Sequence, residues 1–170
     1  MTPEHELDPE GLGDHFDRLY RAAWGLCGSR EDAEDLVQDT YARVLARPRV
    51  VRRDDDLGYL LRVLRNTFVS SRRTAARRPQ MAPGAEPEAL DLPDQRRAAA
   101  EPAVAAEARE VYRAISELSD DFRDALVAID VAGLSYTEAA RALKVAEGTI
   151  TSRLFRARRE VAKTLGQPGD

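Results

Sequence analysis

Residues able to carry covalent chemistry are scarce in this chain. Its two histidines, His5 and His15, lie near the amino terminus, and its one cysteine, Cys27, has no second thiol to pair with. No nucleophile stands beside a base, and no Cys/His cluster has the spacing of metal ligands. Neither catalysis, a metal nor a cofactor is expected. What remains is the chemistry of recognition. The stretch GLSYTEAARALKVAEGTITSRLFRARREV, from Gly133 to Val161, gathers arginine, serine, threonine and a phenylalanine. Arginine presents a rigid fork of donors that matches guanine edges and phosphates. Serine and threonine contact phosphates or bases, and phenylalanine packs on a thymine methyl.

These side chains need elements to aim them. Ser135-Tyr136-Thr137-Glu138 fits a capping box, which opens a helix running to Leu143 through strong helix formers. Lys144-Val145-Ala146 makes a turn, and a second helix follows. On it Ile150, Leu154, Ala157, Val161 and Leu165 recur at helical spacing and form one apolar face. At about 100° per residue, Ser152, Phe155, Arg156 and Arg159 fall opposite, flanked by Thr151 and Arg153. The pattern predicts a helix-turn-helix whose second helix enters a DNA groove.

Charge is uneven in this 170-residue chain of net charge −4. Arg62 to Arg78 holds six arginines and no acid, a local +6, and Arg141 to Lys163 carries a local +5. Against them stands an acidic block of Glu31, Asp32, Glu34, Asp35 and Asp39. Two basic patches and one acidic patch imply nucleic acid together with a protein partner. The basic patch at 62–78 lies on a predicted helix with a buried stripe of Leu57, Leu60, Leu61, Leu64 and Phe68. Its outer face carries Tyr59, Arg62, Asn66 and Arg73. Aromatic and arginine side chains together suit single-stranded or melted nucleic acid.

Phe16, Leu19, Tyr20, Ala23 and Cys27 predict an earlier helix, with Cys27 as a small core residue. A helix capped at Ser29 follows to about Leu45, and residues 48–56 read as a charged loop. Residues 1–13, acidic with Pro and Gly, are expected to fray. Residues 79–102 are rich in Pro, Ala and Glu without apolar periodicity, which marks a flexible linker. No strand pattern of convincing length occurs. The expected fold is all-α: two small helical domains, 14–78 and 103–165, joined by that linker. The amino-terminal residues are polar and acidic, unlike a signal peptide, and no run is long enough to span a membrane, so a cytoplasmic protein is expected.

Taken together, these blocks resemble the extracytoplasmic-function, group 4, branch of the sigma-70 family of bacterial transcription initiation factors. SREDAEDLVQDTYARVL and GYLLRVLRNTFVSSRR resemble region 2, and GLSYTEAARAL with GTITSRLFRAR resembles region 4. Tyr59, Ser70, Thr151 and Ala146-Glu147 depart from the family's usual residues and bear on which promoter is read. The resemblance implies that Asp35, Leu36, Gln38, Asp39 and Tyr41 dock on the clamp of core RNA polymerase. It implies that Arg52, Arg53, Tyr59, Arg62, Arg65, Asn66 and Arg73 bind the melted −10 element of promoter DNA. It implies that Thr151, Ser152, Arg153, Phe155, Arg156 and Arg159 read the −35 element as duplex, and that an anti-sigma factor restrains the chain. Two modules on a flexible linker are poorly pre-organised, so tight promoter binding is expected only with polymerase. The competing expectation is a stand-alone helix-turn-helix regulator with an amino-terminal sensing domain.

Overall fold

A computed structural model of the chain describes residues 4–7, 9–47, 50–52, 55–77 and 102–167, the side chains of 4–6 and 50–52 excepted. The predicted linker, 79–102, lies outside the described residues except for Pro102. Seven α-helices dominate the described residues: α1 Phe16–Cys27, α2 Arg30–Ala46, α3 Asp56–Arg77, α4 Pro102–Ser116, α5 Asp120–Leu126, α6 Tyr136–Leu143 and α7 Glu147–Thr164. A 3-10 turn, Gly11–His15, leads into α1, and a π-turn, Val127–Val131, continues α5.

The structure departs from the sequence reading at the amino terminus. Glu4–Glu6 (β1) pairs antiparallel with Val50–Arg52 (β2), in the register Glu4 to Arg52 and Glu6 to Val50. A small ribbon thus replaces part of the expected frayed end and charged loop. Three residues per strand are too few for alternation to show in the sequence; the pairing is set by partners far apart in the chain.

In the first module α1, α2 and α3 pack around Leu19, Val37, Leu60 and Leu64, all fully buried. The turn between α1 and α2 needs Gly28, whose φ of +80° is left-handed. A Cβ there would also stand 2.4 Å from the Ser116 hydroxyl. Ser29 then caps α2 by accepting from the Asp32 N–H at 3.2 Å. Cys27 sits in the core's margin, where burial first, then the Asp32 carboxylate, pushes its thiol up to about 12. It is an inert packing residue.

In the second module α4 to α7 close on Ile150, Leu154 and Val127. The π-turn is visible in the Ala132 N–H donating to the Val127 carbonyl at 2.8 Å, five residues back. Gly133, φ +75°, ends this helix.

The two modules are packed together, an arrangement that no local sequence pattern predicts. One continuous apolar core runs through both. Trp24 of α1, only 9% exposed, stacks on Tyr112 of α4 with ring centroids 4.2 Å apart at 15°. Gly25 lies against Ile115 and Val127, and a Cβ at that position would stand 3.0 Å from a Val127 methyl. Arg18 reaches from α1 to the carbonyl oxygens of Ala132 and Gly133, donating at 2.8 and 2.9 Å.

Candidate nucleic-acid interface

The helix-turn-helix forms as the sequence predicts. Ser135 Oγ accepts from the Glu138 N–H at 3.2 Å, and Glu138 returns the contact by accepting from the Ser135 N–H at 2.7 Å. The Ser135 N–H first, and then the Ser135 hydroxyl, hold the Glu138 carboxyl below the usual carboxylate range. Lys144 closes α6 in the left-handed region at φ 56°, and the Val145 N–H donates back to the Ala140 carbonyl at 3.0 Å. Thr137 Oγ1 bonds Glu147 Oε1 at 2.8 Å, tying the start of α6 to the start of α7. Nothing in the sequence marked that second tie, because each partner alone is an ordinary surface residue.

On α7 the apolar stripe of Ile150, Leu154 and Ala157 is buried, while Val161 and Leu165 are half-buried. Thr151, Ser152, Phe155, Arg156 and Arg159 are exposed together. Phe155 is 58% exposed, and the Arg159 guanidinium lies 5.8 Å from its ring centroid. One apolar ring and two cations, Phe155, Arg156 and Arg159, thus share the exposed side of α7. Arg153 is turned aside: it pairs with Asp121 of α5 at 3.0 Å. Arg158 grips both carboxylate oxygens of Asp130 in the π-turn, at 2.9 and 2.7 Å, and so anchors the helix.

The other basic patch is placed differently. On α3, Asn66 and Arg73 are exposed and Tyr59 is half-buried. Arg62 Nε points to the Ala142 carbonyl of α6 at 3.4 Å, and Arg65 Nε meets Asp124 Oδ2 of α5 at 2.5 Å. Burial pushes the Asp124 carboxyl above the usual carboxylate range, opposed by its bond to Arg65. Arg72 stands 3.5 Å from Asp120 and over the Phe68 ring. Arg123, only 4% exposed, covers the same ring from α5. Arg72 and Arg123 are therefore structural partners that the sequence reading did not single out. The side chain of Arg52 and the whole of Arg53 lie outside the described residues.

On α2, Asp35 and Asp39 are exposed and Gln38 is half-buried. Leu36 and Tyr41 are buried instead. The Tyr41 hydroxyl donates to the Leu12 carbonyl at 3.0 Å, and its ring stacks on Phe16 at 5.9 Å. These two hold α2 in the module while the carboxylates line its surface. A groove of about 670 Å³ runs between the modules, bordered by Asp35, Leu36, Asp39 and Arg72 of the first and by Leu118 and Arg123 of the second. Among the described residues no helix is long and apolar enough to cross a membrane.

The fold and these surfaces define a two-module helical protein with a helix-turn-helix in its carboxy-terminal half. Residues 13–78 match the Sigma-70 region 2 family, and residues 108–161 match the family of Sigma-70, region 4. The chain belongs to the extracytoplasmic-function sigma factors of RNA polymerase. It is 33% identical over 163 residues to the ECF RNA polymerase sigma factor SigE of Mycolicibacterium smegmatis, covering 90% of this chain and 59% of that one. It is 34% identical over 146 residues to EcfG of Rhodopseudomonas palustris, covering 84% and 76%. To SigM of Mycobacterium tuberculosis it is 34% identical over 153 residues, covering 89% and 74%. The chain thus spans 59% of the length of SigE. Its fold matches the sigma factor RpoE of Bartonella quintana, solved in complex with the anti-sigma factor NepR. There the TM-score is 0.65 at 28% identity, over 92% of this chain and 95% of that one. The fold also matches CnrH, solved with the cytosolic domain of CnrY, at a TM-score of 0.61 and 21% identity over 92% and 86%.

Proposed function

We propose that this chain is a promoter-specificity subunit of RNA polymerase. It binds the core enzyme, recognises the −35 and −10 elements and promotes melting of the duplex, carrying out no covalent chemistry itself. It acts in the cytoplasm and is held inactive by an anti-sigma factor. Residues 14–78 act as region 2, 79–102 as the linker and 103–165 as region 4. Asp35, Gln38 and Asp39 face a basic surface of the polymerase clamp, with Leu36 and Tyr41 holding α2 in place beneath them. Tyr59, Arg62, Arg65, Asn66 and Arg73, with Arg52 and Arg53, bind the melted −10 strand through stacking and backbone charge. Thr151, Ser152, Phe155, Arg156 and Arg159 enter the −35 major groove, and Arg153 serves its edge.

The observation that carries this reading is the exposed Phe155–Arg156–Arg159 face on a capped helix-turn-helix, in a chain that belongs to the sigma family. The match to RpoE with NepR supports the anti-sigma partner, and the groove bordered by the acidic face of α2 is where such a partner meets both modules. Residues 13–78 match Sigma-70 region 2 rather than a sensing domain, so the stand-alone regulator is set aside. The test is reconstituted transcription with core polymerase and a matching promoter. Failure of the chain to co-purify with core polymerase refutes the proposal.

A further inference from the structure

The helix proposed to read the −35 element begins on an acid. Glu147 is the first residue of α7 and is exposed. In a helix-turn-helix the N-terminal residues of the second helix meet base edges, while the first helix crosses the backbone. Between Glu147 and Glu160 the helix carries no other acid, and Arg153, Arg156, Arg158 and Arg159 lie along it. A carboxylate brought to a groove lined by phosphates costs affinity unless a base offers it a donor.

The local structure holds that carboxylate ready for a base. Thr137 Oγ1, on α6, donates to Glu147 Oε1 at 2.8 Å, which fixes the direction of the carboxylate and leaves Oε2 as a second acceptor. No arginine or lysine among the described residues pairs with it. One turn on, where a cation would neutralise it, stands Thr151, whose hydroxyl donates to the Glu147 carbonyl at 3.1 Å. Beside it Gly148 is exposed, its φ is not left-handed, and a Cβ there would meet nothing. Neither backbone conformation nor packing asks for glycine at that position; the close approach of a base pair gives it a use.

We infer that Glu147 is a specificity-determining residue of the −35 reader, selecting cytosine at one position through its N4 amino group, with Thr137 as its positioning residue. This rests on the reading of α7 as the −35 helix. In the major groove cytosine offers a donor, where thymine offers the O4 acceptor and a methyl and guanine offers O6 and N7. A carboxylate gains a hydrogen bond from cytosine and meets repulsion from thymine or guanine. Adenine, with a donor beside an acceptor, falls between them. The acid thus gives up general affinity for discrimination.

The test uses holoenzyme reconstituted from the full-length chain and core polymerase. It captures duplexes from a library randomised through the −35 and −10 elements, and the captured molecules are sequenced. For the wild type, one −35 position selects cytosine over thymine by at least about fivefold. Glu147→Gln moves that position to adenine, whose N6 and N7 a glutamine amide matches, and Glu147→Ala levels it to within about twofold. The other positions hold in both. Thr137→Val removes the hydroxyl at nearly constant shape and weakens the cytosine preference by about threefold, while Thr137→Ser keeps it. Both residues are exposed, so these variants melt within about 2 °C of the wild type by circular dichroism.

The inference is overturned if no −35 position of the wild type prefers cytosine, or if the Glu147 variants leave that position unmoved. It is overturned equally if they shift every position together, which is the mark of a displaced helix. Thr137→Val with the preference intact removes Thr137 from the account. Arg156→Ala separates the two layers. If it leaves capture and every −35 position unchanged, α7 is not the −35 helix; if it degrades selection while the Glu147 variants do not, only the assignment of Glu147 is wrong.

Discussion

Leu154 and Phe155 are neighbours on α7 with opposite tasks, and substituting each separates the two. Leu154 is 1% exposed, so its truncation removes nearly the whole buried side chain from the second module's core. Leu154→Ala is expected to cost about 3 kcal/mol, within the 2–5 kcal/mol found for buried leucines. At about 2–4 °C per kcal/mol for a chain of this size, the melting temperature falls by roughly 6–12 °C. Phe155 is 58% exposed, so Phe155→Ala leaves stability within about 0.5 kcal/mol. On the proposed −35 reading it removes an apolar contact to the groove, worth on the order of 1 kcal/mol, or about fivefold in duplex affinity. Thermal unfolding followed by circular dichroism reads the first quantity, and fluorescence anisotropy with a −35 duplex reads the second. The reasoning fails if Phe155→Ala destabilises as much as Leu154→Ala. It fails equally if Leu154→Ala changes sequence preference while the melting temperature holds.

Three further outcomes are expected. Ser135→Ala removes the cap of α6 and costs roughly 1 kcal/mol in thermal unfolding, with −35 sequence preference unchanged in a binding-site selection. Glu138 titrates below the usual carboxylate range when folded, so it contributes stability at pH values above its unfolded pKa and loses it as the pH falls through the lowered value. Glu138→Gln should therefore flatten the acid limb of a melting-temperature profile, and an unchanged limb would remove Glu138 from the account. Cys27, with its thiol pushed up to about 12, stays unmodified by a thiol reagent at neutral pH until the chain unfolds. The folded state holds that proton more tightly than the unfolded one, so Cys27's contribution declines as the pH rises above the ordinary thiol value of 9.0.

The elements were legible wherever one residue's neighbours in sequence are also its neighbours in space. The capping box at Ser135 and Glu138, the stripe of Ile150, Leu154 and Ala157, and the core of α3 are all local patterns. The seam between the modules was not legible. Arg18, Arg65 and Asp124 look like solvated surface residues on their own helices, and only the packing of one module on the other gives them partners. Tyr41 shows the reverse case: it falls within an acidic block whose exposed residues suit a partner, yet its hydroxyl is committed to the Leu12 carbonyl. The π-turn at Val127–Val131 escaped for a third reason. Its extra residue leaves the helical composition unchanged and shifts only the phase.

The seam also limits how such chains exchange halves. Arg18 grips backbone carbonyls at Ala132 and Gly133, which every residue type supplies, so that contact tolerates a foreign carboxy-terminal half. The Arg65–Asp124 pair and the Gly25–Val127 fit demand particular side chains on both sides. A chimera joining this amino-terminal module to a relative's helix-turn-helix would therefore keep its −35 preference and lose its closed form, its halves heritable as a matched pair.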